Sequence, residues 1–163
     1  LAAFLPLVGD PSLLRSGLEG DPTGWLPDTH VTPDGRWSTV LHGAGWSHRV
    51  AVRVGAPWES TTTLWRSLSW EPARTEEWEA ERPVRHLPTF DGELGLFVSG
   101  DIASLAIEGR YRAPGGPLGA MLDGLALHRV ARGTANRLME DIAVLLRAGA
   151  DQVRVGGSSP PSR

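Results

Sequence analysis

The chain has no cysteine. Disulfides, thiolate nucleophiles and cysteine-type zinc sites are excluded, although this does not fix the compartment. Lysine is missing too, and all 16 basic residues are arginine. With the alanine, glycine and proline content, that points to a GC-rich genome of bacterial type, and a cytoplasmic location is expected. Neither sign of charge is in large excess, the net value being −3 at pH 7. A general binder of nucleic acid or anionic membrane usually carries a basic surplus, so neither partner is expected. No apolar run reaches the roughly 18 residues that a membrane-spanning helix needs. The opening LAAFLPLVGD is apolar but short, interrupted by Pro6, and has no basic leader. It does not begin with Met, and the numbering is expected to start inside the full product. Catalytic signatures are absent as well: no phosphate loop, HExxH, dinucleotide fingerprint or Ser-His-Asp spacing occurs. That lowers the expectation of an enzyme without removing it, and no cofactor or metal is implied.

What is present reads as one α+β domain. The length of 163 residues and 40% hydrophobic content suit a single core. We expect the domain over 1–150 and a disordered low-complexity tail over 151–163, where GGSSPPSR stands. Residues 2–8 suggest a short first strand. Asp10-Pro11-Ser12 suggests a helix start, with proline at the first helical position. Trp25-Leu26-Pro27 is expected to pin the following loop onto the core. From residue 36 the period becomes two. Strands are expected at 36–42, 47–54, 61–70, 84–87, 92–99 and 102–111. Their short turns make a meander, not a series of βαβ units. Six of the seven tryptophans fall between 37 and 78 and are read as sheet core and edge residues, with a sugar-binding platform as the alternative. Residues 71–83 are a charged surface excursion.

A helical pattern then runs from 117 to 147, through Leu118, Met121, Leu122, Leu125, Leu127, Val130, Ala131, Ala135, Leu138, Ile142 and Leu145. Gly149 is the expected stop. An antiparallel sheet must cover one face, and this is the only long apolar helix. The sheet is therefore expected to curl around it and to leave a ligand cavity between the two.

This order resembles the helix-grip fold of the START-like superfamily, also called SRPBCC or polyketide cyclase/dehydrase-like. More narrowly, GRYRAPGGPLGAMLDGLALHRVARGTANRLMEDIA (109–143) is similar to the C-terminal block of uncharacterised actinobacterial members, and LPTFDGEL (87–94) to their pre-strand segment. The turn here reads Ala-Pro-Gly-Gly-Pro where those members carry a double proline, and over 1–86 the likeness is architectural. The resemblance implies a sheet of about six or seven strands around the helix, and a cavity for a hydrophobic ligand. Fold does not settle function. Three functions stay open: binding of a hydrophobic or aromatic small molecule, lipid included; a polyketide-type cyclase, aromatase or dehydratase; and an interaction module with a filled core, a homodimer among its forms.

The expected ligand-binding residues are Leu64, Arg66, Leu68, Trp70, His86, Leu94, Leu96, Leu105, Ile107, Tyr111, Leu118, Met121, Leu122 and Leu125. Arg66 interrupts an apolar face and could orient a planar anion, or pair structurally with Glu108 or another acid. His86 could serve as a base, or be an exposed edge histidine. Asp123, His128 and Arg129 are read with Tyr111 as a network tying the helix start to the strand end. His42 and His48 bracket a turn without a third metal ligand.

Overall fold

The computed structural model describes residues 1–32, 36–43, 46–72, 89–112 and 124–156, the side chains of Trp46 and residues 124–128 excepted. The excursion expected at 71–83 lies mostly outside these residues. The strand at 84–87, the helix start at 117–123 and Asp123 lie wholly outside them, as does the side chain of His128.

The elements are strand β1 (Ala2–Leu7), helix α1 (Pro11–Glu19), a 3-10 turn (Pro22–Gly24), and strands β2 (His30–Val31), β3 (Trp37–Gly43), β4 (Trp46–Val54), β5 (Trp58–Ser60), β6 (Thr63–Pro72), β7 (Thr89–Ser99) and β8 (Ile102–Arg112). Helix α2 (Gly124–Gly156) closes the order. The strands form one antiparallel sheet in the order β1-β8-β7-β6-β4-β3-β2, with β5 also paired to β6. This is the helix-grip architecture, with eight strands among the described residues where about six or seven were expected. Both β2 and β5 are too short to show a period.

Helix α1 begins as its sequence directs. The Asp10 side chain accepts from the amides of Ser12 and Leu13, and Pro11 takes the first turn, where no N–H is needed. Leu14 and Leu18 of α1, and Trp25 and Leu26 after it, are buried.

One bulge governs the faces of the sheet. Val50, Val52 and Val54 of β4 point inward, and Val54 lies opposite Leu68. Trp58 of β5 lies opposite Trp65, so three residues, 55–57, face only two of β6. The extra residue shifts the phase and sends Trp58 to the outer face. There it stacks on Trp65, with centroids 6.0 Å apart.

Helix α2 buries Ala131, Thr134, Ala135, Leu138, Met139, Ile142, Ala143 and Leu146 along one stripe. Val130, expected on that stripe, is exposed. Gly149 does not stop the helix, which continues to Gly156 and takes in the first six residues of the expected tail, Asp151–Gly156. Among the described residues nothing lies within 4 Å of a side chain placed at Gly149. A solvent-facing glycine costs a helix about 1 kcal/mol without breaking it, and Ala150 beyond it is buried. Among the described residues no helix is long and apolar enough to cross a membrane.

Candidate functional site

The interior face of the sheet is organised in cross-strand rows. One row runs Trp37, Val52, Trp70, Phe90, Tyr111 across β3, β4, β6, β7 and β8. Its last three members form an aromatic cluster. Trp70 and Phe90 stack with centroids 4.3 Å apart, while Tyr111 meets Trp70 edge-on at 5.5 Å and Phe90 at 5.2 Å. The next row places Gly92 opposite Gly109. A Cβ on either glycine would stand 2.6 Å from the tip of the Phe90 ring and 2.7 Å from the other glycine's Cα. Two bare positions thus let the Phe90 ring lie down on the sheet.

The Tyr111 hydroxyl is buried and has no hydrogen-bond partner among the described residues. A buried phenol usually finds one, because the orphaned group otherwise costs about 1–3 kcal/mol. Burial also pushes its pKa well above the ordinary tyrosine value. The group is therefore a neutral O–H, set among aromatic rings and able to donate or accept one hydrogen bond.

Deeper rows hold the other expected residues. Arg66, Leu94 and Ile107 form one row, and Leu64, Leu96 and Leu105 another. Leu68 precedes Gly92 in the glycine row. These aliphatic side chains are buried in the main core with Met139 and Ile142 of α2. His86, Leu118, Met121 and Leu122 lie outside the described residues, as does the side chain of Leu125.

Arg66 is 7% exposed, and most of its guanidinium is engaged. Nε donates to the Gly55 carbonyl at 2.9 Å, inside the bulge. Nη1 donates to the carbonyls of Leu18 at 2.9 Å and Gly20 at 2.7 Å, at the C-terminal end of α1. The guanidinium also lies 5.4 Å from the centroid of the Trp25 ring. Burial lowers the Arg66 pKa, opposed by the nearby Asp21 carboxylate. No ion pair with Glu108 forms, because Glu108 is exposed on the opposite face. A cation at a helix C-terminus meets carbonyls that have no partner within the helix. His42 Nδ1 lies 2.8 Å from Ser47 Oγ, a local contact across the β3–β4 turn.

Phe90 is the residue that sequence reasoning missed. The strand was expected from residue 92, whereas β7 starts at Thr89. The signal was available, because Phe90 continues the even-numbered alternation of Leu94, Leu96 and Val98.

No family model matches the chain, and no curated protein matches it. Solved structures do. TTHA0849 from Thermus thermophilus superposes with a TM-score of 0.59 at 12% identity, over 98% of this chain and 99% of that one. A protein from Arthrobacter aurescens follows at 0.47 and 16% identity, covering 89% and 84%. The human StarD13 (DLC2) lipid transfer and protein localization domain gives 0.44 at 13% identity, covering 91% and 75%. The first of these likenesses shows a shared fold. Fold and rows together define the class as a helix-grip protein with an aromatic cluster on its inner sheet face.

Proposed function

We propose that this chain binds a hydrophobic or aromatic small molecule between the inner sheet face and the N-terminal part of α2, as a START-like, SRPBCC-type protein of actinobacterial kind working in the cytoplasm. One observation carries the proposal: the buried Tyr111 hydroxyl, without a partner among the described residues, beside the Trp70–Phe90 stack. A planar or hydrocarbon ligand would lie against the rings and take its one hydrogen bond from Tyr111. Leu64, Leu68, Leu94, Leu96, Leu105 and Ile107 would form the floor. His86, Leu118, Met121, Leu122 and Leu125 would complete the wall. Arg66 would stand in the floor row beside Leu94 and Ile107, with only Nη2 outside its carbonyl bonds.

The same phenol favours a second function, that of a cyclase or dehydratase. Held protonated by burial, it would serve as a hydrogen-bond donor to a developing oxyanion. The first test is paired native and denaturing mass spectrometry of protein from its own host. A small-molecule mass lost on denaturation, and lost also in Tyr111→Phe or Trp70→Ala, supports the ligand site. A clean apo mass with no binding of long-chain or polycyclic probes counts against it and favours a filled-core module. Turnover of a bound polyketide-like substrate that stops in Tyr111→Phe would select the second function.

A further inference from the structure

The outer face of the sheet carries a second feature, built from charge. Across β4, β6, β7 and β8 one row reads Arg53, Ser69, Asp91, Arg110. Two residues along, Arg112 of β8 lies opposite Thr89 of β7. With Arg36 and Glu71 these residues line an open concavity of about 380 Å³. Among the described residues, four guanidinium groups there meet two carboxylates, a local balance of +2 in a chain whose net charge is −3.

The carboxylates do not neutralise the arginines evenly. Glu71 faces two of them, Arg36 at 2.7 Å and Arg53 at 3.9 Å. Arg110 sits opposite Asp91 in register but forms no ion pair with it, and Arg112 has no carboxylate partner among the described residues. Arg110 and Arg112 leave β8 on the same face, their Cα atoms roughly 7 Å apart. Guanidinium groups do not discharge at any ordinary pH, so unpaired neighbours repel each other in the folded chain.

We propose that this concavity is an anion site for a phosphate monoester. Such a group carries about −1.5 to −2 charges and three acceptor oxygens, which matches the local balance. Planar guanidinium forks from Arg110 and Arg112 take its oxygens in pairs. Arg53 closes the far side, and the Ser69 and Thr89 hydroxyls supply neutral donors. The charged side chains leave the sheet on the face opposite the aromatic cluster, while Trp70 and Phe90 also border the concavity, and the proposal needs no interior ligand. The phosphate belongs either to a free small molecule or to a lipid headgroup.

The test titrates phenyl phosphate into the full chain at fixed ionic strength and follows amide shifts by NMR. Saturable shifts at Ser69, Asp91, Arg110 and Arg112 are expected. Arg110→Gln combined with Arg112→Gln should weaken binding about tenfold or more while leaving the rest of the spectrum in place. Co-sedimentation with phosphatidylcholine vesicles, with and without phosphatidic acid, separates the sources. Phosphatidic-acid-dependent sedimentation that the double variant loses supports the site with a lipid headgroup as its ligand. Phenyl phosphate binding without sedimentation supports it with a free phosphate. No saturable shift at tens of millimolar and no such sedimentation would overturn the proposal, and so would unchanged binding by the double variant.

Discussion

Replacing Arg66 by leucine removes three hydrogen bonds at once, and the structure says which groups then go wanting. The carbonyls of Leu18 and Gly20 end α1, and the Gly55 carbonyl sits in the bulge between β4 and β5. Hydrogen bonds to a charged group contribute about 1.5–3 kcal/mol each, which sets an upper bound several kcal/mol high. Two effects reduce it. Burying the guanidinium is itself costly, and that cost disappears with the charge. The carbonyls also regain some water once the side chain is shorter. The two effects leave a net loss of about 3 kcal/mol, because the carbonyls lose their donors without being removed themselves. For a chain of this length that is a fall in Tm of about 6–12 °C. Urea denaturation followed by circular dichroism, with the slope unchanged, measures it. Hydrogen exchange should show the excess opening in α1 and around residue 55. Arg66→Lys should lose less, since one ammonium keeps the charge but cannot fork between both sets of carbonyls. A loss under about 1 kcal/mol, with α1 exchange unaltered, would refute the assignment of Arg66 as the clamp between helix and bulge.

Tyr111 is the only tyrosine, so phenolate absorbance reports on it alone. Its folded pKa is raised above the ordinary value of 10.0, so its contribution to stability is complete below that pH and is lost as pH rises beyond it. No phenolate signal should appear near pH 10 until the chain unfolds, and a reversible native titration there would contradict the burial. Gly109→Ala puts a Cβ 2.6 Å from both the Asp91 carbonyl and the Phe90 ring, so it should cost upwards of about 2 kcal/mol in chemical denaturation. Removing the α1 cap with Asp10→Ala should cost about 1 kcal/mol, detectable as a small drop in denaturation midpoint.

Periodicity carries different amounts of information in different places. In β4, β6, β7 and β8 the alternation of Val50, Leu68, Leu94 and Leu105 with polar neighbours identifies strands and their inner faces, because a pleated strand has only two sides. The same logic makes the inward position of Arg66 legible, but not its partners. The carbonyls it binds come from residues 11 to 48 positions away in the chain. Trp58 shows where alternation fails: a single extra residue in the bulge reverses its face, and nothing local in Gly55-Ala56-Pro57 specifies that count. Gly149 shows the limit of helix-stop signals, since burial of Ala150 beyond it outweighs one residue's propensity.

The sequence by itself determined the α+β class, the strand-rich middle, the last long helix and the exclusion of cysteine chemistry, all of which follow from composition and short-range pattern. Only the tertiary structure decided the neighbours. It brought Trp70, Phe90 and Tyr111 into one row and left a phenol without a partner among the described residues. It spent Arg66 on backbone carbonyls and gathered Arg53, Arg110 and Arg112 around one concavity. Strand pairing and register bring together residues tens of positions apart, and an alternating pattern says which side a residue faces without saying what stands beside it.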